Sequence, residues 1–312
     1  MAQVSRRLFT GSLFALALAL GGAVSPVRAE EAKIPVVATF SILGDFVSRV
    51  GGDRVAVTSL VGPNGDAHVY EPTPADARAL SAAKLVVVNG FGLEGWFERL
   101  TKASGTKAPI VAATKGITPR EMEDEDAKPV GGKHPIVTDP HAWQAVGNAQ
   151  VYVANIRDAL IAVDPAGKPV YEANAAAYAT ELAALDADVK AKFAALPTDR
   201  RRVITNHDAF GYFAAAYGLE FLAPQGVSTE AEASSKTVAK LVRQIKKEKI
   251  TAVFLENMSD ERLVSRIAKE TGVTLGGTLY ADALSPKGGP APTYVDMVRF
   301  NVSALTKAMA GS

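Results

Sequence analysis

Residues 170–196 read VYEANAAAYATELAALDADVKAKFAAL, and the architecture turns on this stretch. It is alanine-rich, its apolar residues recur at helical spacing, and Pro197 stops it. At 1.5 Å per residue, a helix of this length spans roughly 40 Å. That is long for a helix inside one α/β layer, and it suits a rigid strut between two lobes. A preceding helical segment starts near Val146 and breaks at Asp164-Pro165.

On both sides of the strut, strands and helices alternate. Before it, Ile34–Phe40, Val55–Val61 and Lys84–Asn89 are short apolar runs rich in β-branched residues, the pattern of buried parallel strands. Thr73-Pro74-Ala75-Asp76 reads as a helix start, with Thr as N-cap and an acid three residues on. Glu94–Lys102 reads as another helix. After the strut, strands are expected at Arg202–Asn206, Leu219–Leu222, Thr251–Glu256 and Val273–Leu279. Helices are expected at Ala209–Tyr217, Ser235–Lys249, Asp260–Thr271 and Thr293–Met309. The fold class is therefore α/β, with a parallel sheet flanked by helices in each half. Residues 118–140 break the rhythm: Glu121, Glu123, Asp124, Glu125 and Asp126 crowd ahead of Gly131-Gly132. This reads as a surface loop with a solvated acidic turn. A cation-collecting loop is the functional alternative.

The chain has 312 residues, 34 Lys+Arg and 33 Asp+Glu. A formal charge of +1 is too balanced for a protein that binds nucleic acid. With no cysteine, disulfides, iron–sulfur clusters, thiolate zinc sites and cysteine nucleophiles are excluded together. The first residues form an address. Arg6-Arg7 precede an apolar run, Leu13 to Val24, and then Val27-Arg28-Ala29. The run is short for a membrane span. Ser5-Arg6-Arg7-Leu8-Phe9 matches the twin-arginine export pattern, with Sec export as the alternative. Cleavage near Ala29 removes three arginines and takes the net charge from +1 to −2. The absence of a cysteine at that point argues against a lipid anchor. The expectation is a soluble monomer exported to a Gram-negative periplasm, with a signal peptide at 1–29, lobes at 30–168 and 198–312, and the linking helix at 169–197.

Only four histidines occur. His68 follows the strand Val55–Val61, His141 precedes a helix, and His207 directly follows a strand. Asp282 directly follows another strand. In open α/β sheets, ligands bind outside the carboxyl ends of strands. Two candidates come from each half. Spacings of 73 and 66 residues between the histidines exclude a local motif, so any site built from them closes between the halves. Three imidazoles and a carboxylate suit a borderline divalent cation. His134, after the acidic loop, reads as exposed and outside the site. Glu230, Glu232 and Glu256 lie near strand ends and compete with Asp282 as fourth ligand or as support behind the ligands.

Four segments carry a resemblance covering nearly the whole exported chain. Asp66-Ala67-His68-Val69-Tyr70-Glu71-Pro72-Thr73 is similar to the first ligand segment of the ZnuA-like (TroA-like) solute-binding proteins. Asp139-Pro140-His141-Ala142-Trp143, Asn206-His207-Asp208-Ala209-Phe210-Gly211-Tyr212 and Thr278-Leu279-Tyr280-Ala281-Asp282 resemble the next three, in order. These proteins feed metal-importing ABC transporters. The resemblance implies two Rossmann-like lobes joined by one long backbone helix, with the metal between them. It also implies His68, His141, His207 and Asp282 as ligands, and a membrane permease with its cytoplasmic ATPase as partner. A metal-donor protein is a further candidate partner. Ala67 stands where the family has Pro. The His-rich loop of many zinc members is missing, and the stretch Glu121–Asp126 with His134 occupies its place.

Members favouring manganese or iron resemble a site of two imidazoles and two carboxylates, with Glu where this chain has His207. Nitrogen-rich ligation points to Zn2+, with Mn2+ or iron as the alternative. A zinc hydrolase or lyase would need an open coordination position and a general base. Asp282 as fourth ligand closes that position, and no His-Glu-x-x-His or Gly-x-Ser-x-Gly is present. The expectation is a binding protein, not an enzyme. An organic solute would want an aromatic-lined pocket, and aromatics are only 7% of the chain.

Overall fold

Two parallel sheets carry the molecule, each with its strands' carboxyl ends turned toward one shared region. The computed structural model describes residues 1–2, 32–123, 131–230, 232–248, 250 and 252–310. The export signal falls in residues that are almost all outside this set, as do Asp124, Glu125 and Asp126. Lys33–Ser312 forms one compact unit. Among the described residues, no helix is long and apolar enough to cross a membrane.

The first half runs β1 (Ile34–Phe40), α1 (Ser41–Gly51), β2 (Val55–Val61), α2 (Pro74–Ala82), β3 (Leu85–Val88), α3 (Phe97–Ser104) and β4 (Ile110–Ala112). Its sheet order is β2-β1-β3-β4, parallel throughout, with Ile34 opposite Val55, Val36 opposite Leu85 and Val86 opposite Ile110. The apolar runs predicted as strands are the two central strands and their neighbour β2. Thr73 caps α2 as expected, in a full capping box with Asp76. The helix predicted from Glu94 begins only at Phe97. Its first residues are used otherwise, because the Glu94 carboxylate accepts from Asn89 N at 2.6 Å and Thr39 Oγ1 at 2.6 Å.

The stretch read as a loop contains an antiparallel hairpin, β5 (Arg120–Glu123) and β6 (Ile136–Asp139), with Arg120 opposite Asp139. Its alternating exposure and acidic residues hid it from a reading that sought apolar runs. Then come α4 (Val146–Val163) and α5 (Lys168–Ala194). The predicted strut is thus a 27-residue helix, entered through Pro169 in its first turn and ended before Pro197. It is not free-standing. Tyr171, Ala175, Tyr178, Leu182, Leu185, Val189 and Phe193 are buried along one stripe at spacings of three and four.

The second half runs β7 (Arg202–Ile204), α6 (Gly211–Tyr217), β8 (Glu220–Leu222), α7 (Ser235–Glu248), β9 (Ala252–Glu256), α8 (Glu261–Thr271), β10 (Thr274–Leu279) and α9 (Tyr294–Ala310). Its order is β10-β9-β7-β8, again all parallel. Strand order reverses between β7 and β9, which makes that junction the expected ligand crevice. A bulge in β10 lies between Leu275 and Thr278, where a Cβ on Gly276 would come within 2.6 Å of the Phe254 ring. One continuous apolar core joins both halves through α4, α5 and α9, and a smaller cluster lies under α7 and α8.

Candidate metal centre

The loops leaving β2, β6, β7 and β10 bring His68, His141, His207 and Asp282 together, with one ligand atom from each lying within 4.8 Å of the others. His68 is 5% exposed and the other three are fully buried. His141 Nε2 lies 3.2 Å from His68 Nε2 and 3.3 Å from His207 Nε2. Asp282 Oδ2 lies 3.3 Å from His68 Nε2 and 3.1 Å from His207 Nε2, and Oδ1 lies 3.7 Å from His141 Nε2. Yet neither carboxylate oxygen makes a hydrogen bond among the described residues. A buried carboxylate in this state is costly. Three ring nitrogens and two such oxygens facing one point are suited to a cation.

The loops that carry these four side chains are fixed locally. Asp66 Oδ1 accepts from His68 N at 2.8 Å, and Asp139 Oδ1 accepts from His141 N at 2.9 Å. The two Asp-x-His segments are therefore the same Asx turn, which throws the imidazole inward. Asp66 Oδ2 also takes a hydrogen bond from Thr229 Oγ1, 2.7 Å away across the halves. Trp96 Nε1 holds the Ala67 carbonyl at 2.7 Å. The Asp282 loop is pinned at Ala281 O, which accepts from Trp143 Nε1 at 3.0 Å and Gln144 Nε2 at 2.7 Å. On its other side, Asn301 exchanges two hydrogen bonds with the Tyr280 backbone, at 2.9 and 2.7 Å.

Carboxylates behind two of the rings decide which nitrogen faces inward. His141 Nδ1 donates to Asp139 Oδ1 at 2.9 Å, and His207 Nδ1 donates to Glu256 Oε2. Glu256 Oε1 meanwhile accepts from Asn206 N at 2.8 Å and His207 N at 3.0 Å. β7 ends at Ile204, short of the predicted Asn206: Thr205 N still reaches Leu222 O of β8 at 3.0 Å, but the amides of Asn206 and His207 turn to Glu256. With Nδ1 occupied, Nε2 is the free donor atom, the usual arrangement behind a metal-ligating histidine. Glu256 thus supports His207 from behind. Glu230, Glu232 and His134 stay outside the four-residue group. Asp66 and Asp139 are the positioning residues that a search for strand-end ligands passes over, and the repeated Asp-x-His is the sequence signal for them.

Electrostatics in the metal-free protein follow from this crowding. Burial pushes the His141 ring down, but the carboxylates of Asp282 and Asp139 outweigh it and carry its pKa up to about 9. His207 is likewise opposed by burial and held well above the usual imidazole range by Glu256 and Asp282. Burial dominates at His68 and lowers it. Burial would raise Asp282, but the charged His141 and His207 rings hold it well below the usual carboxylate range.

The profile of the family described as "Zinc-uptake complex component A periplasmic" matches residues 36–308. The chain is 34% identical over 275 residues to the iron-binding protein YfeA of Yersinia pestis, covering 88% of this chain and 86% of that one. It is 31% identical over 303 residues to the manganese-binding lipoprotein MntA of Halalkalibacterium halodurans, covering 97% of each. Among solved structures, the periplasmic zinc-binding protein TroA from Treponema pallidum superposes with a TM-score of 0.80 at 30% identity, over 89% of this chain and 99% of that one.

Proposed function

Because the chain belongs to the family of periplasmic zinc-uptake component A proteins, the metal-binding, substrate-binding members of ABC transporters, we propose that it captures zinc in the periplasm and hands it to a membrane permease driven by a cytoplasmic ATPase. His68, His141, His207 and Asp282 are the ligands in this reading. Residues 30–168 and 198–312 are its two lobes, joined by the helix at 169–197. The protein binds and delivers its cargo without chemical change. A periplasmic metal-donor protein is a candidate for the step before capture.

One observation carries the reading. Five of the separations between inward-facing atoms are 3.1 to 3.7 Å, and one ligand atom from each of the four residues lies within 4.8 Å of the others. Atoms grouped this closely surround a point that all four residues can reach with bonds of about 2 Å after small adjustments, the length of a zinc–imidazole or zinc–carboxylate bond. Three neutral nitrogens favour zinc over harder cations. The negative charges of Asp282, Asp139 and Glu256 offset the dication in a buried site.

A second reading, manganese or iron as the cargo, draws on the relatives named for those metals and on Asp282. Both of its oxygens face the centre, so a fifth bond is available to a cation that prefers more oxygen. Metal analysis and competition on the protein and on His207→Ala separate these readings. One tightly held zinc per chain, preferred over manganese and lost in the variant, supports zinc. Preferential retention of manganese or iron by the native protein refutes zinc and leaves the ligand set standing. Failure to bind any of the three tightly refutes both.

A further inference from the structure

We propose that Arg120 is a positioning residue of the metal centre, acting through Asp139 on His141. The inference rests on the reading of His141 as a ligand. Arg120 opens β5 and stands opposite Asp139, the last residue of β6, in the hairpin register. Its Nε lies 3.4 Å from Asp139 Oδ2. Neither atom has a hydrogen-bond partner among the described residues, so this ion pair is what holds Oδ2. The other oxygen, Oδ1, is committed to His141, accepting from both N and Nδ1 at 2.9 Å.

Three further features are built around the pair. The Arg120 guanidinium lies 5.6 Å from the centroid of the Tyr212 ring. The Tyr212 hydroxyl ties the two backbones, accepting from Arg120 N at 2.8 Å and donating to Asp139 O at 3.2 Å. Gly211 leaves the space: a Cβ there would stand 2.7 Å from Asp139 Oδ2 and 2.9 Å from Arg120 Nε.

The Asp139 side chain is 1% exposed, so its charge needs a counter-charge, and Arg120 supplies one. The mechanical consequence matters as much. A carboxylate held at one oxygen can turn about its last torsion. Held at both, it is a fixed stop against the His141 ring. That ring must keep Nε2 aimed at a point it shares with His68, His207 and Asp282, and outer partners of this kind set ligand orientation. Arg120 touches no ligand itself; it stands on the opposite strand of the hairpin whose second strand ends at Asp139, two residues before His141.

The test uses Arg120→Gln, Arg120→Lys, Gly211→Ala, Asp139→Asn, His141→Ala and the double variant Arg120→Gln/Asp139→Asn. Zinc affinity is measured by chelator competition, the cobalt(II) absorption spectrum reports ligand geometry, and metal-free melting curves report folding. Arg120→Gln is expected to weaken zinc about tenfold and to shift the cobalt bands, the lower end of what outer-partner changes cost. Arg120→Lys should restore most of both, and Gly211→Ala, which wedges the pair apart, should reproduce the loss. The double variant should bind no more weakly than Asp139→Asn alone, because Arg120 works through that carboxylate. Native affinity and spectrum in Arg120→Gln, with His141→Ala impaired, overturn the role of Arg120 alone. Losses that multiply in the double variant do the same. Native zinc binding in His141→Ala overturns the ligand reading and this inference together.

Discussion

Glu256→Gln isolates the support behind one ligand with almost no change of shape. Glu256 is buried at the end of β9, and its two oxygens do different work. Oε1 accepts from the amides of Asn206 and His207 at 2.8 and 3.0 Å, which shapes the loop after β7. Oε2 takes the Nδ1 proton of His207. A glutamine keeps one carbonyl oxygen. If that oxygen stays on the two amides, the NH2 group must face Nδ1–H, donor against donor. If the amide flips, both backbone donors are orphaned in a buried place. Either way a charge-assisted bond is lost, worth about 1.5–3 kcal/mol. When the loss falls on the metal-bound form it becomes about ten- to a hundredfold in affinity, the range found for outer-partner substitutions at zinc sites. Chelator competition on native and variant protein measures it. The metal-free melting temperature serves as control, because the variant still fills the same volume. A variant that binds zinc as tightly as the native chain, with an unchanged cobalt spectrum, would refute the claim that Glu256 orients and charges the His207 ring.

Zinc affinity should rise with pH at least to about 9, where His141 gives up its proton, because His141 and His207, both held above the usual imidazole range, must lose protons to the incoming cation. With both rings protonated the dependence approaches about a hundredfold per pH unit; calorimetry across buffers of different ionisation heat counts the protons, and release of none at pH 7 contradicts the scheme. The metal-free protein should show the opposite trend. Rings raised above their unfolded pKa of 6.5 stabilise the fold fully below that pH and cease to do so as pH climbs through about 9, so its melting point should fall over that window. His207→Glu should move preference toward manganese by at least about tenfold relative to zinc, read by competition between the two metals. Phe193→Ala, buried near the end of α5 and edge-on to Phe213 at 5.6 Å, should cost about 3–5 kcal/mol by denaturant unfolding while leaving one metal bound per chain.

The central strands of the first sheet were legible because they are buried and read as apolar runs. Ile34–Phe40 and Val55–Val61 fold with the bounds their sequences suggest. The edge strand Ile110–Ala112 is too short to stand out, and its residues are only partly covered. The hairpin of Arg120–Glu123 and Ile136–Asp139 was read as loop for a related reason. Of its eight strand residues only Asp139 is buried, so burial had left almost no mark on the sequence. At the site, the four converging residues could be found because each follows or borders a strand end. Their supports divide by distance. Asp66 and Asp139 sit two residues before their histidines, and local turn chemistry would have disclosed them. The pairing of Glu256 with His207 depends on β7 lying beside β9, and that of Arg120 with Asp139 on a hairpin register. Neither pairing is written in any local stretch of sequence.

The division of ligands between the halves has a thermodynamic consequence that does not depend on which metal is carried. His68 and His141 belong to loops of the first half, His207 and Asp282 to loops of the second, so in the proposed ligand set neither half alone offers more than two ligands. Hydrogen bonds cross the same seam beside them: Thr229 to Asp66, Asn257 to Asn64, and Asn64 N to the Leu284 carbonyl, at 2.7, 2.9 and 3.0 Å. Whatever holds the seam shut raises metal affinity, and by linkage the metal holds the seam shut to the same degree. Bond lengths near 2 Å make coordination far steeper in distance than these hydrogen bonds. A separation too small to disturb either sheet is therefore enough to leave the cation with two ligands. A permease that binds the separated form more tightly than the closed one would lower metal affinity by that difference, without touching a ligand. The long helix α5 and the continuous core behind it keep such a movement small, while the four loops at the strand ends are where a small movement has the largest effect on binding.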